Sequence, residues 1–395
     1  MKFADRINSL KPSAIREIFK SMADPNIISL AGGNPDPESF PITEMEKISA
    51  ELFERFPSAS LQYGLTEGYI PLREQVETRL QKKFGVNTDG NEVIITSGGQ
   101  QGIDLTCRVL CNEGDTVICE DPSFIGALNS FRSFGTRLRG VKVDDDGMDM
   151  DDLERALRTE KNVKFIYTIP TFQNPTGVCM SLERRKKLLS LAEKYDVVIL
   201  EDNPYGELRF RGEDIPTLKS LDKNNRVVYC SSFSKIFSPG IRIGFLCGPK
   251  EIIAKTVVAK QINDVHSNLF FQMMISKYIE EYDLDAHIES IKNIYRGKCL
   301  AMQDAVSRYF PKNIKCTSPD GGFFLWCNLG EGKDSSVFAK ELMRNSVAVI
   351  PGATFAADET RISDGIRLNY SMPSLANIEK AIKIMGDVLN SDFYN

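Results

Sequence analysis

The fold of this chain can be inferred outward from one stretch, Arg226-Val227-Val228-Tyr229-Cys230-Ser231-Ser232-Phe233-Ser234-Lys235. Its apolar first half is rich in β-branched and aromatic residues, which predicts a buried β-strand. The strand ends in small hydroxyl side chains, a lysine follows at once, and Arg242 comes seven positions after that lysine. Similar apolar runs alternate with helical patterns over residues 91–265, and such alternation predicts a parallel sheet covered by helices.

The predicted strands of this region are Val93–Thr96, Val117–Glu120, Val163–Thr168, Val197–Glu201, Val227–Cys230 and Ile243–Cys247. The helices between them include Gln100–Cys111, Asp151–Arg158 and Leu182–Tyr195. Past residue 265 the pattern changes to a long helix, mixed strands and further helices. These later elements are Ile288–Tyr309, Phe323–Cys327, Val337–Arg344, Ala348–Ile350, Ile366–Tyr370 and Leu375–Leu389. We therefore predict an α/β fold with a large sheet domain and a smaller α+β domain.

Three parts of the chain are expected on this basis. Residues 1–40 combine a short amphipathic helix with a Pro/Gly-rich turn and are predicted to form an arm that packs on the small domain and the site. Residues 41–285 are predicted to form the large, ligand-binding domain, and residues 286–395 the small C-terminal domain.

Composition narrows the classes of function. The 395 residues carry a net charge of −5 and no basic run, which does not favour a nucleic-acid partner. The N-terminal residues lack the apolar core of a signal peptide, and no window reaches the length of a membrane span, so we expect a cytoplasmic protein. The nine cysteines have no CxxC spacing and only His266 and His287 could join them, so we predict no metal site. We interpret the cysteines, Cys327 included, as buried free thiols of a reducing compartment.

Polar clusters lie just past five of the predicted strands. They are Ser97-Gly98-Gly99-Gln100, Asp121-Pro122-Ser123-Phe124, Asn174-Pro175, Asp202 with Tyr205, and Ser232 with Lys235. In open α/β sheets, ligands bind outside the carboxyl ends of the strands. A helix cap or a turn would explain any one cluster, but five clusters at one edge of a sheet predict a convergent binding site.

The residue types in these clusters suggest a particular cofactor. The hydroxyls of Ser232 and Ser234 with the Arg242 guanidinium suit a phosphate, and Lys235 can form a Schiff base with a carbonyl. Together they provide what a protein needs to hold pyridoxal phosphate by its aldehyde and its phosphate. Asp202 ends a buried strand, where a carboxylate needs a partner, and a protonated pyridine nitrogen would supply one. The alternatives are a solvated loop for the lysine and a helix cap or turn for the aspartate.

Further side chains fit the same cofactor. Asn174 and Tyr205 can donate to its phenolic oxygen, and Phe124 can stack on its ring. Arg367 stands inside an apolar strand, where its fork suits a substrate α-carboxylate. The loop of residues 97–100 offers N–H groups at a helix start to a phosphate, although it matches neither a Walker motif nor a GxGxxG fingerprint. An ordinary turn, a core phenylalanine, a structural ion pair and a plain helix start are the respective alternatives.

Taken together, these motifs resemble the class I aminotransferases of the pyridoxal phosphate fold-type I superfamily. Four motifs in sequence order carry the resemblance, which covers nearly the whole chain. They are Asn174-Pro175-Thr176-Gly177, Glu201-Asp202-Asn203-Pro204-Tyr205, Ser232-Phe233-Ser234-Lys235 and Pro239-Gly240-Ile241-Arg242. The subgroup most resembled is that of the 2-aminoadipate and kynurenine aminotransferases. The stretches that suggest it are Ala14–Ile18, Leu30–Pro35, Leu61–Gly64 and Gly98–Gln101. The same set is also similar to the aminotransferase-like module of certain bacterial regulators.

The resemblance implies a mostly parallel seven-stranded sheet between helices and a homodimer with its active sites at the subunit interface. It implies a ping-pong enzyme that moves an amino group through a lysine Schiff base. The donor would be an L-amino acid (2-aminoadipate, glutamate, or an aromatic or branched one) and the acceptor a 2-oxo acid such as 2-oxoglutarate. Lys235 would be the catalytic lysine. The cofactor-binding residues would be Gly99, Gln100, Phe124, Asn174, Asp202, Tyr205, Ser232, Ser234, Lys235, Arg242 and, from the neighbouring subunit, Tyr63. The substrate-binding residues would be Arg16, Gly33, Asn174 and Arg367. Family members also have cis bonds at positions like those before Pro122 and Pro175.

Two departures and one open role remain. Phe124 stands where the subgroup usually has tyrosine, and Gly99 where a serine is common, so two hydroxyls are lost. Arg16 could reach the distal carboxylate of an acidic substrate or could be a solvated arginine on an amphipathic helix. Another pyridoxal phosphate enzyme such as a β-lyase or decarboxylase, a regulator-type sensor, and a nucleotide-binding dehydrogenase are the competing functions.

Overall fold

The computed structural model describes residues 26–391, together with residues 2, 3, 7 and 24. The strands of this part of the chain are β1 (Ile28–Ser29), β2 (Asn91–Thr96), β3 (Thr116–Asp121), β4 (Arg137–Asp144), β5 (Gly147–Met148), β6 (Val163–Thr168), β7 (Val198–Asp202), β8 (Val227–Ser232), β9 (Gly244–Pro249), β10 (Lys315–Cys316), β11 (Phe324–Asn328), β12 (Val347–Ala348), β13 (Ile350–Pro351) and β14 (Gly365–Asn369).

The helices are α1 (Ile42–Arg55), α2 (Pro57–Leu61), α3 (Ile70–Phe84), α4 (Gly99–Leu110), α5 (Ile125–Ser133), α6 (Met150–Thr159), α7 (Leu182–Lys194), α8 (Leu218–Leu221), α9 (Lys250–Asn263), α10 (Leu269–Glu281), α11 (Leu284–Tyr309), α12 (Ser335–Arg344) and α13 (Leu375–Leu389). Two short 3₁₀ helices span Pro37–Ser39 and Gly352–Phe355. None of the helices within these described ranges is long and apolar enough to cross a membrane.

The large sheet has the strand order β2-β9-β8-β7-β6-β3-β4-β5. Its central pairs, from β8 through β7, β6 and β3 to β4, are parallel, whereas β9 runs antiparallel to both of its neighbours. Side chains along these strands alternate between two buried cores, with Tyr167 and Leu200 in one and Ile166 and Ile199 in the other. Burial on both faces, as parallel sheets require, leaves the strand ends as the place where polar groups can meet a ligand.

A second sheet has the order β10-β11-β14-β13 and is antiparallel throughout. Strand β1 pairs in parallel with β12, so the segment around Ile28 lies beside this smaller unit. The two larger sheets fall on either side of the boundary expected between residues 285 and 286, which itself would lie in the first turn of helix α11. The division into arm, large domain and small domain stays a prediction.

The α/β class with two differently built sheets is confirmed, and three details differ from expectation. The large sheet has eight strands rather than seven because Gly147–Met148 adds a short antiparallel edge strand to β4. Strand Arg137–Asp144 was not predicted, since it lies near the edge of the sheet, is rich in charged residues and has only one fully buried side chain. Cys327 is not free: it is bonded to Cys316, which faces it directly in the antiparallel register.

One buried arginine stabilises the loop that leads from β6 toward the expected site. The Arg185 side chain is wholly buried, and its donors reach the carbonyl of Pro170 at 2.7 Å, the Thr171 hydroxyl at 2.9 Å and the carbonyls of Met180 and Pro216 at 3.0 Å each. Burial lowers the pKa of Arg185, and the charge of Glu201 only partly opposes that effect. The guanidinium therefore acts as a multivalent donor that ties together several backbone carbonyls around this loop.

We expect Arg185→Met to lower the free energy of unfolding by about 3 kcal/mol, because several buried acceptors lose a charged donor at once. Urea denaturation of the purified variant measures this. The matched control is Arg155→Met, whose side chain is 57% exposed and bonded to Asp152. An exposed pair of this kind is worth at most about 1 kcal/mol. Equal losses in both variants would contradict the role assigned to Arg185.

Candidate active site

A cavity of about 360 Å³ opens at the carboxyl ends of the parallel strands. Most of the residues singled out from the sequence line it. They are Gly33, Gly99, Gln100, Phe124, Asn174, Asp202, Tyr205, Ser232, Ser234, Lys235, Arg242 and Arg367. Within the part of the chain that the structure describes, its charged lining consists of one carboxylate, Asp202, and three cations, Lys235, Arg242 and Arg367. The cavity therefore favours a ligand that carries more than one negative charge and one positive or protonated group.

Lys235 stands just after strand β8, and its amine donates a hydrogen bond to the carbonyl of Gly33 at 2.8 Å. The same amine lies 5.5 Å from the ring centre of Phe323. Burial lowers the pKa of Lys235 to about 8, and the positive charges of Arg242 and Arg367 add to that effect. A lysine with such a pKa is partly neutral near pH 8, which is the form that attacks a carbonyl or accepts a proton.

Asp202 is the last residue of strand β7 and is 4% exposed. The Tyr167 hydroxyl donates to its Oδ2 at 2.8 Å. Burial raises the pKa of Asp202 to about 7, and the hydrogen bond from Tyr167 only partly opposes that rise. A carboxylate in this setting gains most from a cation placed beside it in the cavity.

The loop after β8 and the start of helix α4 form an anion cradle. Ser232 and Ser234 hydrogen-bond to each other through their hydroxyls at 2.8 Å, and both line the cavity. Gly98 has φ +79°, and a Cβ there would lie 2.4 Å from Nη2 of Arg242. The backbone at the start of α4 can therefore approach the guanidinium only because residue 98 is glycine. Free N–H groups at a helix start next to an arginine suit a phosphate.

Arg367 lies in strand β14 on the opposite side of the cavity. It donates to Oδ1 of Asn174 at 3.0 Å and to the carbonyl of Ala31 at 2.6 Å. Its guanidinium lies 4.3 Å from the ring centre of Phe324, and burial lowers its pKa to about 10. Its Nε is buried without a hydrogen-bond partner, which marks an unfilled donor position for an anion. This pattern fits a substrate carboxylate.

The loop that carries Asn174 is fixed by Glu120, a residue that the sequence reasoning missed. Glu120 is buried and accepts hydrogen bonds from the Thr168 hydroxyl at 2.6 Å and from Nε2 of Gln173 at 3.1 Å. Burial raises the pKa of Glu120 to about 7. The Tyr205 hydroxyl also meets Asn174: burial raises its pKa, and their hydrogen bond opposes the rise. The Asn174 amide thus stands between Arg367 and Tyr205.

The peptide bonds before Pro122 and Pro175 are both cis, as the resemblance implied.

Tyr167 was missed for the same reason as Glu120, since in the sequence each looks like an ordinary strand residue. The signal for Tyr167 lies in the register, because Tyr167 pairs with Leu200 and Asp202 is two residues further along the same face.

Among the described residues, one expected site residue, Tyr63, does not line the cavity. Tyr63 is 79% exposed, and its ring lies 5.7 Å from that of His266 in an edge-to-face contact. Arg16 lies outside the described residues. The side chain of Gln100 turns away to the carbonyl of Gly126 at 2.9 Å, which leaves its backbone for ligand binding.

The residues present fit pyridoxal phosphate. The cradle at Gly98 and Arg242 would hold the phosphate. Asp202, whose pKa is raised by burial, would face the protonated ring nitrogen. Lys235 would supply the amine for the aldehyde, and the unpaired Nε of Arg367 would donate to a second anion. Phe124, at the start of helix α5, supplies an apolar wall for the ring.

We expect the Asp202→Asn variant without ligand to gain stability relative to the wild type as the pH rises from 4 to 8. The pKa of Asp202 lies above its ordinary value of 3.8 in the folded state, at about 7, so ionisation between these values opposes folding. The gain should reach at most about 4 kcal/mol. Urea denaturation of both proteins across this pH range tests it. Subtracting the two free energies of unfolding at each pH removes the contribution of the titratable groups that both proteins contain. A difference in stability that does not change with pH would contradict the raised pKa.

Comparison with known proteins agrees with this geometry. Residues 25–385 match the family model "Aminotransferase class I and II". The chain is 38% identical to aromatic-amino-acid aminotransferase 1 of Thermococcus litoralis, over 99% of this chain and 94% of that protein. It is 36% identical to the 2-aminoadipate transaminase of Thermus thermophilus, over 98% and 96% of the two chains. A kynurenine aminotransferase structure from Pyrococcus horikoshii superimposes with a TM-score of 0.95 at 38% identity, covering 98% of this chain and 96% of that one. The chain therefore belongs to the class I and II aminotransferase family.

Proposed function

We propose that this protein is a pyridoxal phosphate-dependent aminotransferase in which Lys235 carries the cofactor and moves the proton. The observation that carries the proposal is the convergence of one buried carboxylate and three cations on a single cavity. The Pyrococcus horikoshii structure was determined in complex with PMP, and a Thermus thermophilus aminoadipate aminotransferase structure holds a phosphopyridoxyl-leucine. When bound, pyridoxal phosphate supplies an aldehyde for the amino group and a ring that withdraws electrons from the substrate α-carbon.

Each residue has a role that follows from its surroundings. Asp202 keeps the ring nitrogen protonated, and Asn174 and Tyr205 donate to the phenolic oxygen. Arg367 orients the substrate by its α-carboxylate. With the cofactor bound, the Lys235 amine would take the proton from the substrate α-carbon and would deliver it to the carbon of the former aldehyde group. Its lowered pKa, about 8, lets it perform both transfers near neutral pH.

The remaining cofactor contacts come from the cradle and the walls. The backbone of Gly99 and Gln100, the hydroxyls of Ser232 and Ser234, and Arg242 would bind the phosphate, and Phe124 would stack on the ring. Gly33 would lie beside the substrate, since its carbonyl already meets the Lys235 amine.

The substrates are an L-amino acid and a 2-oxo acid, and we propose 2-oxoglutarate as one acceptor. The relatives differ in the donor that their names state: aromatic amino acids, 2-aminoadipate and kynurenine. We propose acidic or broad donor specificity that includes 2-aminoadipate and glutamate, with Arg16 as the contact to a distal carboxylate. The expected cytoplasmic location stays a prediction.

We expect Lys235→Ala to abolish both the covalent attachment of pyridoxal phosphate and amino-group transfer from glutamate to a 2-oxo acid. Borohydride reduction followed by peptide mass spectrometry should find a modified Lys235 in the wild type and no modified lysine in the variant. Lys235→Arg is the matched control, because it keeps the positive charge but cannot form the link. Transfer retained by either variant would refute the role of Lys235.

We further propose that the protein is a homodimer in which Tyr63 binds the phosphate of the neighbouring site. The apolar side chains two residues before and after Tyr63 are also exposed, Leu61 by 70% and Leu65 by 54%. Tyr63 contacts His266, and a Cβ on Gly64 would lie 3.5 Å from Leu269, so this segment lies against the start of helix α10. A patch of this kind on a protein surface marks an interface, and in this chain Tyr63 does not line its own cavity.

We expect a solution mass of twice the 44.3 kDa of one chain, and we expect Tyr63→Phe to weaken pyridoxal phosphate binding by about tenfold. A mixed dimer of one Tyr63→Phe chain and one Lys235→Ala chain locates the hydroxyl. If Tyr63 acts across the interface, the site with an intact Lys235 receives an intact tyrosine and binds with wild-type affinity. Binding with the weakened affinity of Tyr63→Phe would show that Tyr63 acts within its own chain and would refute the proposal.

A further inference from the structure

A partly buried polar network lies next to the anion cradle, and its members do not line the cavity. It is centred on Ser97, which directly precedes the two glycines at the start of helix α4. The Ser97 hydroxyl donates to Oδ2 of Asp264 at 2.7 Å and lies 2.9 Å from the hydroxyl of Ser267. The Ser97 N–H donates to Oε1 of Gln101 at 2.7 Å. Three separate groups therefore fix the position of Ser97 on its inner side.

Lys260 joins these three groups to one another. Its amine donates to Oε1 of Gln101 at 2.9 Å, to Oδ1 of Asp264 at 2.8 Å and to the hydroxyl of Ser267 at 3.0 Å. The lysine side chain is 0% exposed, and it belongs to helix α9, which takes no part in the cavity lining. Burial of an ammonium costs free energy unless every proton finds an acceptor, and here three acceptors are present. A methionine of similar shape would fill the same space without that cost.

The outer side of Ser97 meets the proposed phosphate site. Nη2 of Arg242 donates to the carbonyl of Ser97 at 3.3 Å, and the glycine at position 98 permits the close approach of the same nitrogen. The Thr96 hydroxyl donates to the carbonyl of Gly98 at 3.0 Å. A shift of Ser97 would thus move the Arg242 guanidinium and the first N–H groups of helix α4 together.

We propose that Lys260 is a positioning residue for phosphate recognition. It holds Gln101, Asp264 and Ser267 in place, and these three residues hold Ser97. Ser97 in turn sets the positions of Arg242 and of the Gly98–Gly99 backbone. This inference rests on the proposed function, since it assigns that cradle to the phosphate of the cofactor. Lys260 itself touches neither cofactor nor substrate. Its effect is therefore on affinity for the phosphate and not on the attachment of the aldehyde to Lys235.

The test compares pyridoxal phosphate with pyridoxal, which has the same aldehyde and ring but no phosphate. Each is titrated by absorbance into the full-length protein freed of cofactor. The dissociation constant for pyridoxal divided by that for pyridoxal phosphate measures phosphate recognition alone, and we call this quotient the ratio. We expect Lys260→Met to lower the preference for pyridoxal phosphate by about tenfold, with the pyridoxal affinity changed little. A residue that merely stabilises the fold would weaken both ligands together and leave the ratio as it is.

Lys219→Met is the matched control. The Lys219 side chain is 1% exposed, and its amine donates to Oδ1 of Asn91 and to the carbonyl of Val227 at 2.7 Å each. It is thus an equally buried lysine, but at the amino end of strand β8, whose carboxyl end carries Ser232. We expect Lys219→Met to reduce thermal stability and to leave the ratio at the wild-type value.

An unchanged ratio in Lys260→Met, or an equal change in both lysine variants, would overturn the proposal. If Lys260→Met does not fold, Ser97→Ala decides, because it removes the contacts to Asp264 and Ser267 while the lysine remains. A lowered ratio in Ser97→Ala supports the proposal, and an unchanged one overturns it. A wild-type protein that does not prefer pyridoxal phosphate over pyridoxal would instead refute the proposed phosphate site itself.

Discussion

Three cations share one small cavity with a single carboxylate, and this arrangement is unfavourable until anions enter it. Burial removes water from Lys235, Arg367 and Asp202, and like charges repel strongly where the local dielectric is low. The pKa values of Lys235 and Arg367 are lowered accordingly, to about 8 and about 10, while that of Asp202 is raised to about 7. A ligand with a phosphate, a protonated ring nitrogen and a neighbouring carboxylate relieves each of these strains at once. The charge arrangement thus selects the ligand and primes the lysine for chemistry.

The backbone between Ala31 and Asp36 keeps these charges apart in the protein itself. Carbonyl oxygens of this segment accept from Arg367 and Lys235, so they solvate both cations without adding a negative charge. The segment is held from outside, since the Ser371 hydroxyl donates to the carbonyl of Asn34 at 2.6 Å and Lys298 pairs with Asp36. Strand β1 pairs with β12, and the N–H of Asn369 in strand β14 donates to the carbonyl of Leu30 at 2.8 Å, so the position of these carbonyls depends on the smaller sheet. An amino-acid carboxylate that binds Arg367 would contact the same region.

Much of the large sheet could be predicted from sequence because its strands are buried on both faces and read as continuous apolar runs. The same pattern located Asp202 and Ser232, since a polar residue at the end of such a run is easily noticed. Tyr167, Glu120 and Lys260 could not be found in this way. Their importance comes from the register of neighbouring strands and from helix packing, which bring them to Asp202, Gln173 and Gln101. Strand Arg137–Asp144 and the Cys316–Cys327 bond were not predicted from the sequence for a related reason, because each depends on which strand lies alongside.

The function depends on a cavity that binds pyridoxal phosphate and on a cofactor that carries the amino group from one substrate to the other. The absorption spectrum of the purified protein, between the near ultraviolet and the visible, tests this most directly. We expect a cofactor band that disappears when 2-aminoadipate or glutamate is added and returns when 2-oxoglutarate is then added. A protein that shows no such band, even after addition of pyridoxal phosphate, would contradict the account.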